Sequence, residues 1–149
     1  MAYGKYFEQL QAGEKFAHWP GRTITEYDDT FLSLMSMNQH PLHVDEHFAK
    51  GTQHGQRLVE GPLVISLVIG MSQADIGGRA LDTLEYRNVR HFEPVFHGDT
   101  IYSHSTILAR EELPDGRCVA RVESEGLNQH GKKVVSLERT IVLPRKEGR

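Results

Sequence analysis

The sequence predicts an α+β fold in which an antiparallel sheet wraps around one buried helix. Residues 63–75 are apolar on nearly every side of a helix, and a helix of this kind is normally buried. Four later segments are rich in β-branched and aromatic residues and are separated by turn sequences, which predicts strands over 84–92, 100–110, 117–127 and 132–143. No internal repeat or linker interrupts the 149 residues, so we expect a single domain over 1–149.

Capping and proline signals predict the elements before the central helix. Thr25 is suited to cap a helix, and Asp28 favours the positive end of the same helix. We expect this helix to pack through one face, because four large apolar residues follow at helical spacing: Tyr27, Phe31, Leu34 and Met35. Pro41 ends this region, since proline cannot continue a helix. Residues 45–50 are predicted to form a short helix that Gly51 stops.

Two further positions delimit the central helix and mark the last strand. Proline is tolerated in a first helical turn, so Pro62 belongs near the start of the central helix, and Gly77-Gly78 is predicted to end it. In the last strand, Arg139 is the charged exception on a face that is otherwise apolar.

Composition and charge exclude several classes of protein. The chain is 38% hydrophobic and 25% charged, with a mean hydropathy of -0.46, as expected of a water-soluble globular protein. A formal net charge of -3 gives no support for nucleic-acid binding, which needs a concentrated basic surface. The longest apolar stretch is too short to span a membrane. A single cysteine, Cys118, and the lack of an apolar leader favour a cytoplasmic protein.

The segment Asn-Gln-His-Pro-Leu-His-Val-Asp at residues 38–45 concentrates polar side chains around one proline. We expect His40 and His43 to lie on a sharp turn there, free to face a ligand. Together with Asp45 and His47 they suggest a metal site. However, Pro41 leaves little room for a helix that would align His43 with His47. No second ligand cluster or known zinc signature is present, so we predict no bound metal and no cofactor.

Acid/base chemistry is the other interpretation of this turn. His43 can serve as a base, because the ordinary pKa of histidine is near neutrality. Asn38 can orient a water molecule but cannot exchange a proton. Gly61 lies at the start of the central helix, where free backbone N–H groups stabilise developing negative charge. Weighed against this, a single histidine on a turn is more often structural.

Three other residues have simpler interpretations. Glu60 favours the helix N-terminus electrostatically, and Ser66 hydrogen-bonds its own helix. Arg87 belongs to the solvated face of a strand.

Three motifs in order resemble the MaoC-like hydratase/dehydratase family, the (R)-specific enoyl-CoA hydratases. They are Pro-Leu-His-Val-Asp at 41–45, Gly-Pro-Leu-Val-Ile-Ser-Leu at 61–67 and Pro-Val-Phe-His-Gly-Asp-Thr at 94–100. The resemblance covers nearly the whole chain. It implies a hot-dog fold and reversible addition of water across the C2–C3 double bond of an enoyl-CoA. It also implies a homodimer whose two central helices face each other.

The resemblance implies roles for individual residues and also contains one departure. The family's turn is Asp-x-Asn-Pro-Leu-His, in which Asp and His form the hydration dyad. Here His43 matches the histidine, Asn38 stands at the aspartate position and His40 at the asparagine position. By the same resemblance, Gly61 N–H polarises the thioester carbonyl and Ser66 hydrogen-bonds near the dyad.

The loss of the aspartate leaves three outcomes open. His43 handles the proton while Asn38 orients the water, as in hydratases acting on branched or dicarboxylic enoyl-CoAs such as mesaconyl- or itaconyl-CoA. Alternatively, Glu60 supplies a substitute carboxylate, or the chain binds acyl thioesters without hydrating them. The first is preferred, and a thioesterase is a weaker option.

Several cations are candidates for recognising an acidic substrate. Arg57, Arg87 and Arg90 are each able to pair with a second carboxylate or with the phosphates of coenzyme A. The sequence leaves these roles open.

Overall fold

The computed structural model describes residues 3–146. In chain order the strands and α-helices of that part are β1 (Lys15–Ala17), β2 (Arg22–Thr23), α1 (Glu26–Ser36), α2 (Pro41–Val44), α3 (Glu46–Lys50), α4 (Gly61–Met71), β3 (Asp82–His91), β4 (Thr100–Glu112), β5 (Cys118–Leu127) and β6 (Lys133–Val142). The four predicted strands are confirmed, with ends that differ by one or two residues.

The strands form one antiparallel sheet in the order β1-β4-β5-β6-β3, and β2 pairs with β4. Helix α4 lies against one face of this sheet. Val64 and Val68 of α4 join a buried cluster with Val135 and Leu137 of β6. The hydroxyl of Ser103 on β4 also donates to the Val68 carbonyl at 2.9 Å. The predicted α+β fold, a sheet around a central helix, is therefore confirmed.

The exceptional arginine of the last strand lies on the helix side of the sheet. Arg139 is only 2% exposed, and its Nη2 donates to Ser72 Oγ at 2.5 Å, just beyond the end of α4. Burial lowers the pKa of this guanidinium. Its position beside the helix C-terminus, where the helix dipole is negative, favours the positive charge.

Helix α4 is shorter and less enclosed than predicted. It ends at Met71 with Ser72 as its cap, and Gly77 instead belongs to a separate short 3-10 helix. The sheet covers only one side of α4, so Pro62, Ser66 and Gly70 remain exposed. The prediction of a helix buried on every side is therefore wrong for a single copy of the chain, because one sheet has only one face to offer it.

Helix α1 begins as predicted but packs through a different face. Thr25 Oγ1 accepts the Asp28 N–H, and Asp28 Oδ2 accepts the Thr25 N–H at 2.8 Å. The four predicted packing residues are exposed, and the buried residues of the helix are Asp29 and Ser33. Spacing of apolar residues did not reveal this arrangement, because it depends on hydrogen-bond partners from distant parts of the chain.

Pro41 begins a helix rather than causing an irregular turn. It occupies the first turn of α2, where its missing N–H costs nothing, and His40 caps the helix. Asp45 caps the next helix, which ends before Gly51 much as predicted. His43 and His47 consequently lie in separate helices. No helix within residues 3–146 has the length and apolar character needed to cross a membrane.

Candidate active site

The turn between α1 and α2 leaves one end of the Asn38 side chain free. Asn38 Oδ1 accepts the backbone N–H of His40 at 3.1 Å, and the Asn38 N–H donates to the Ser33 carbonyl at 3.0 Å. The amide NH2 has no hydrogen-bond partner among residues 3–146. Asn38 therefore offers a ligand two N–H donors and no ionisable group.

Two hydrogen bonds determine the tautomers of the neighbouring histidines. His43 Nδ1 lies 2.8 Å from the Leu58 carbonyl oxygen, which can only accept, so this nitrogen carries the hydrogen and Nε2 is an acceptor. His40 Nδ1 accepts the Leu42 N–H at 3.1 Å, so in the neutral ring Nε2 is the donor. The ring centroids are 5.7 Å apart. The turn thus combines one imidazole that accepts a proton with one that donates a hydrogen bond.

The histidine turn is tied to the chain that leads into α4. The Leu58 N–H donates to the Leu42 carbonyl at 3.2 Å, in addition to the bond between the Leu58 carbonyl and His43. Gly61 follows three residues later as the first residue of α4. Its N–H makes no hydrogen bond to the described part of the chain, and it lies at the positive end of the helix dipole. The short segment 58–61 therefore has the proton acceptor His43 at one end, held by Leu58, and the anion-stabilising N–H of Gly61 at the other.

A buried polar cluster holds α1 against the start of α4. Glu60 is 2% exposed, and its carboxylate accepts the Ser33 hydroxyl. Asp29 Oδ1 accepts the Glu60 N–H at 2.9 Å, while Asp29 Oδ2 lies 2.8 Å from His97 Nε2. The hydrogen-bond partner of the Glu60 carboxylate is thus Ser33 rather than His43. The cluster positions the peptide that precedes Gly61.

The remaining predicted residues lie apart from this group. Ser66 is on the exposed side of α4, and its hydroxyl makes no hydrogen bond within residues 3–146. Arg87 stands opposite Glu138, on the sheet face away from α4, and pairs with Glu85 at 2.6 Å. Arg57 is held by two carboxylates, Glu26 at 2.6 Å and Glu46 at 2.9 Å, so its charge is already compensated.

Three site residues were missed at the level of sequence. Asp29 and His97 belong to the buried cluster, and the His91 ring lies directly against Gly61. Asp29 and Ser33 share a helix face at a spacing of four, a polar stripe that sequence inspection can detect. His91 carries no such signal, because a polar residue on a strand is usually part of its solvated face. Within residues 3–146, no group of three or more His, Cys, Asp or Glu side chains is arranged to hold a metal ion.

Comparison with known proteins defines the class. The family model described as "MaoC like domain" matches residues 8–129. The chain therefore belongs to the MaoC-like dehydratase family. It is 30% identical to the mesaconyl-CoA hydratase of Cereibacter sphaeroides over 97% of this chain and 42% of that protein. It is 27% identical to the (R)-specific enoyl-CoA hydratase of Rhodospirillum rubrum over 93% of this chain and 92% of that protein.

The structural comparison agrees on the fold. A Mycobacterium tuberculosis protein described as having a double hot-dog fold superposes with a TM-score of 0.86, at 22% identity, over 98% of this chain and 46% of that chain. The chain has the single hot-dog fold, and it spans less than half of the mesaconyl-CoA hydratase that it matches.

Proposed function

We propose that this chain catalyses the reversible addition of water across the C2–C3 double bond of an enoyl-CoA. The observation that carries the proposal is the His43 tautomer. The Leu58 carbonyl accepts from Nδ1–H, so Nε2 is left as a proton acceptor, and the same turn carries the free amide donors of Asn38. Membership of the MaoC-like family supports the same reaction class.

The reaction then needs one base and two hydrogen-bond donors. His43 Nε2 takes a proton from water while the water oxygen bonds to C3, and the π electrons move through C2 to form an enolate on the thioester. Gly61 N–H donates to the enolate oxygen, and Asn38 donates to the attacking oxygen without exchanging a proton. The enolate re-forms its C=O bond as C2 takes the proton from His43, so H and OH are added in total and His43 is regenerated.

We further propose a branched or dicarboxylic substrate of the mesaconyl-CoA type. A relative aligned over 97% of this chain is named for that substrate. Two predicted cations are already paired, Arg57 with glutamates and Arg87 with Glu85. The third, Arg90, stands opposite Ser136 on the sheet face away from α4. The exposed Nε2–H of His40 is therefore the donor we assign to the second carboxylate.

A substrate panel with a conservative variant tests the proposal. Loss of the conjugated enoyl-thioester absorbance is followed with crotonyl-CoA, a branched enoyl-CoA and mesaconyl-CoA. In His43→Asn, the amide nitrogen can replace Nδ1 in the bond to Leu58, but no base remains, so kcat is expected to fall at least about 100-fold. His47→Asn, on the neighbouring helix, is the matched control. Full activity in His43→Asn would disprove the mechanism.

One observation favours a second candidate, an acyl-thioester-binding protein without turnover. Asn38 stands where the family dyad has a carboxylate, and an amide cannot share the proton transfer. This candidate predicts affinity for saturated and unsaturated acyl-CoAs with no product from any of them. Free thiol measured in the same assay would indicate a thioesterase instead.

We propose that the working unit is a homodimer. Strand β3 is an edge of the sheet, and large apolar side chains on or beside it are exposed, namely Leu81, Leu84, Tyr86, Val89 and Phe92. A long apolar edge of this kind needs cover. A second copy would extend the sheet and cover the open side of α4. The similarity to a protein with two such folds in one chain supports this arrangement.

A further inference from the structure

A bulge in β3 decides which side chain of this strand faces α4. Arg87 stands opposite Glu138 and Arg90 opposite Ser136, so three steps along β3 match two along β6. Asn88, within the bulge, has a left-handed φ of 50°, and its amide donates to Glu138 at 2.8 Å. The extra residue reverses the alternation of side chains beyond it.

The reversal brings His91 to the helix side of the sheet. His91 stands opposite Val135, whose side chain is buried in the cluster under α4. Without the bulge Arg90 would take this side and His91 would face away. A methyl group placed on Gly61 would lie 2.7 Å from Cε1 and 2.8 Å from Nε2 of the His91 ring. The imidazole edge therefore occupies the space that a side chain at position 61 would fill.

Two unpaired polar groups consequently lie side by side. The Gly61 N–H and the ring nitrogens of His91 all lack hydrogen-bond partners among residues 3–146. The His91 side chain is also exposed, so a ligand can reach it. Bulges recur beside active sites because they redirect side chains.

We propose that His91 is a second hydrogen-bond donor to the thioester carbonyl oxygen, acting beside Gly61 N–H. This inference rests on the proposed function. The neutral ring with hydrogen on Nε2 donates to the oxygen on which enolate charge develops, and no proton is transferred. Two donors aimed at one oxygen stabilise the transition state more than the ground state, because the charge on that oxygen grows during the reaction.

Kinetics of donor-deleting and donor-retaining variants test this role. His91→Phe keeps a planar ring without an N–H, and His91→Gln keeps an N–H at a similar reach. We expect kcat on the best enoyl-CoA of the panel to fall about 10- to 100-fold in His91→Phe, with KM changed less, and to recover partly in His91→Gln. His104→Phe, an exposed strand histidine opposite Glu125 on the outer sheet face, is the control and should retain activity.

A second readout does not depend on turnover. The infrared band of the 13C-labelled carbonyl of butyryl-CoA should shift to lower frequency on binding to the wild type, and this shift should be smaller with His91→Phe. Equal shifts, or a His91→Phe loss confined to KM, would overturn the role of His91 while leaving the hydratase proposal intact. A wild type that binds butyryl-CoA but hydrates no enoyl-CoA of the panel would overturn the proposed function. The infrared shift alone would then decide whether His91 contacts the thioester carbonyl. A wild type that neither binds butyryl-CoA nor hydrates any enoyl-CoA of the panel would overturn both.

Discussion

One hydrogen bond defines the chemistry available to His43. Because the Leu58 carbonyl accepts from Nδ1–H, the outward nitrogen is basic and the ring is held in one orientation. The partner residue, Asn38, has its oxygen occupied by the His40 N–H and so presents donors only. In the proposed mechanism Asn38 orients the water molecule, and only His43 carries its proton.

Restoring the family's carboxylate should change the rate and the substrate range. In Asn38→Asp, a carboxylate at the aspartate position of the family's dyad can share the proton transfer, so we expect kcat on crotonyl-CoA to rise about 10-fold or more. Gln39→Glu adds the same charge at an adjacent exposed position and should not increase it. Steady-state kinetics on crotonyl- and mesaconyl-CoA measure the effect. An unchanged rate on both substrates would show that Asn38 does not limit proton transfer.

The buried cluster makes Ser33 important for stability. Its hydroxyl donates to the buried carboxylate of Glu60, so Ser33→Ala leaves that carboxylate without this donor. We expect the free energy of unfolding in urea to fall by about 1–3 kcal/mol. Ser36→Ala, on the exposed side of α1, should change it by less than about 0.5 kcal/mol. Equal effects of the two substitutions would contradict a special role for Ser33.

Helix α1 illustrates which features of an element are local. Its start was predicted because Thr25 and Asp28 cap each other within four residues. Its packing face was not predicted. Asp29 and Ser33 are buried because both hydrogen-bond to Glu60, which lies 31 and 27 residues further along the chain. The exposed apolar side chains, such as Leu34 at 73%, would be equally compatible with a helix packed the other way.

The reciprocal cap of α1 can be tested without touching the site. Thr25→Ala removes the side-chain oxygen that accepts the Asp28 N–H, and should lower the free energy of unfolding by about 1 kcal/mol. Thr25→Ser keeps the oxygen and should restore most of the loss. Urea unfolding of the three proteins provides the comparison. If serine were as harmful as alanine, the hydroxyl would not be the cause.

At the scale of the whole molecule, a polar network joins β4, β5, the segment after α4 and the residue that follows β1. His18 Nδ1 lies 2.6 Å from Asp75 Oδ2, and His18 Nε2 lies 2.9 Å from Ser105 Oγ, which is 2.8 Å from Ser124 Oγ. His18, Ser105 and Ser124 are buried. An aspartate, a histidine and a serine linked in this order resemble a catalytic triad. Because Ser105 is buried, a substrate cannot reach it, so the network is structural.

This network should make stability depend on pH. Burial lowers the pKa of His18, more than Asp75 raises it, and the charges of Arg139 and His104 lower it further. The unfolded chain therefore binds a proton more readily than the folded one, and stability is complete above the ordinary pKa and lost as pH falls through the folded-state value. The loss is at most about 1.4 kcal/mol per pH unit for one group.

A histidine-specific comparison isolates this contribution. The difference in the free energy of unfolding between pH 7.5 and pH 5.5, about one unit on either side of an ordinary histidine pKa, should be smaller in His18→Gln than in the wild type. His47→Gln, at an exposed position, should keep the wild-type difference. An identical pH dependence in all three proteins would refute the assignment to His18.

The dimer proposal predicts a change in mass. Val89 on the edge strand is 43% exposed, and a charge there would be buried without a partner when two β3 edges meet. We expect Val89→Glu to sediment near the 16.9 kDa of one chain, and the wild type near twice that mass. Val44→Glu, at 42% exposure on α2, is the control. A wild type that sediments as a single chain would contradict the proposal.

The sequence by itself determined the fold class, the four long strands, the cap that begins α1 and the motifs that place the chain in its family. All of these depend on residues close together in the chain, through periodicity, turn chemistry and local hydrogen bonds. Only the tertiary structure decided which face of α1 is buried, how much of α4 is covered and why His91 lies against Gly61. These depend on contacts between distant segments and on one extra residue in a strand, whose effect exists only once β3 is paired with β6.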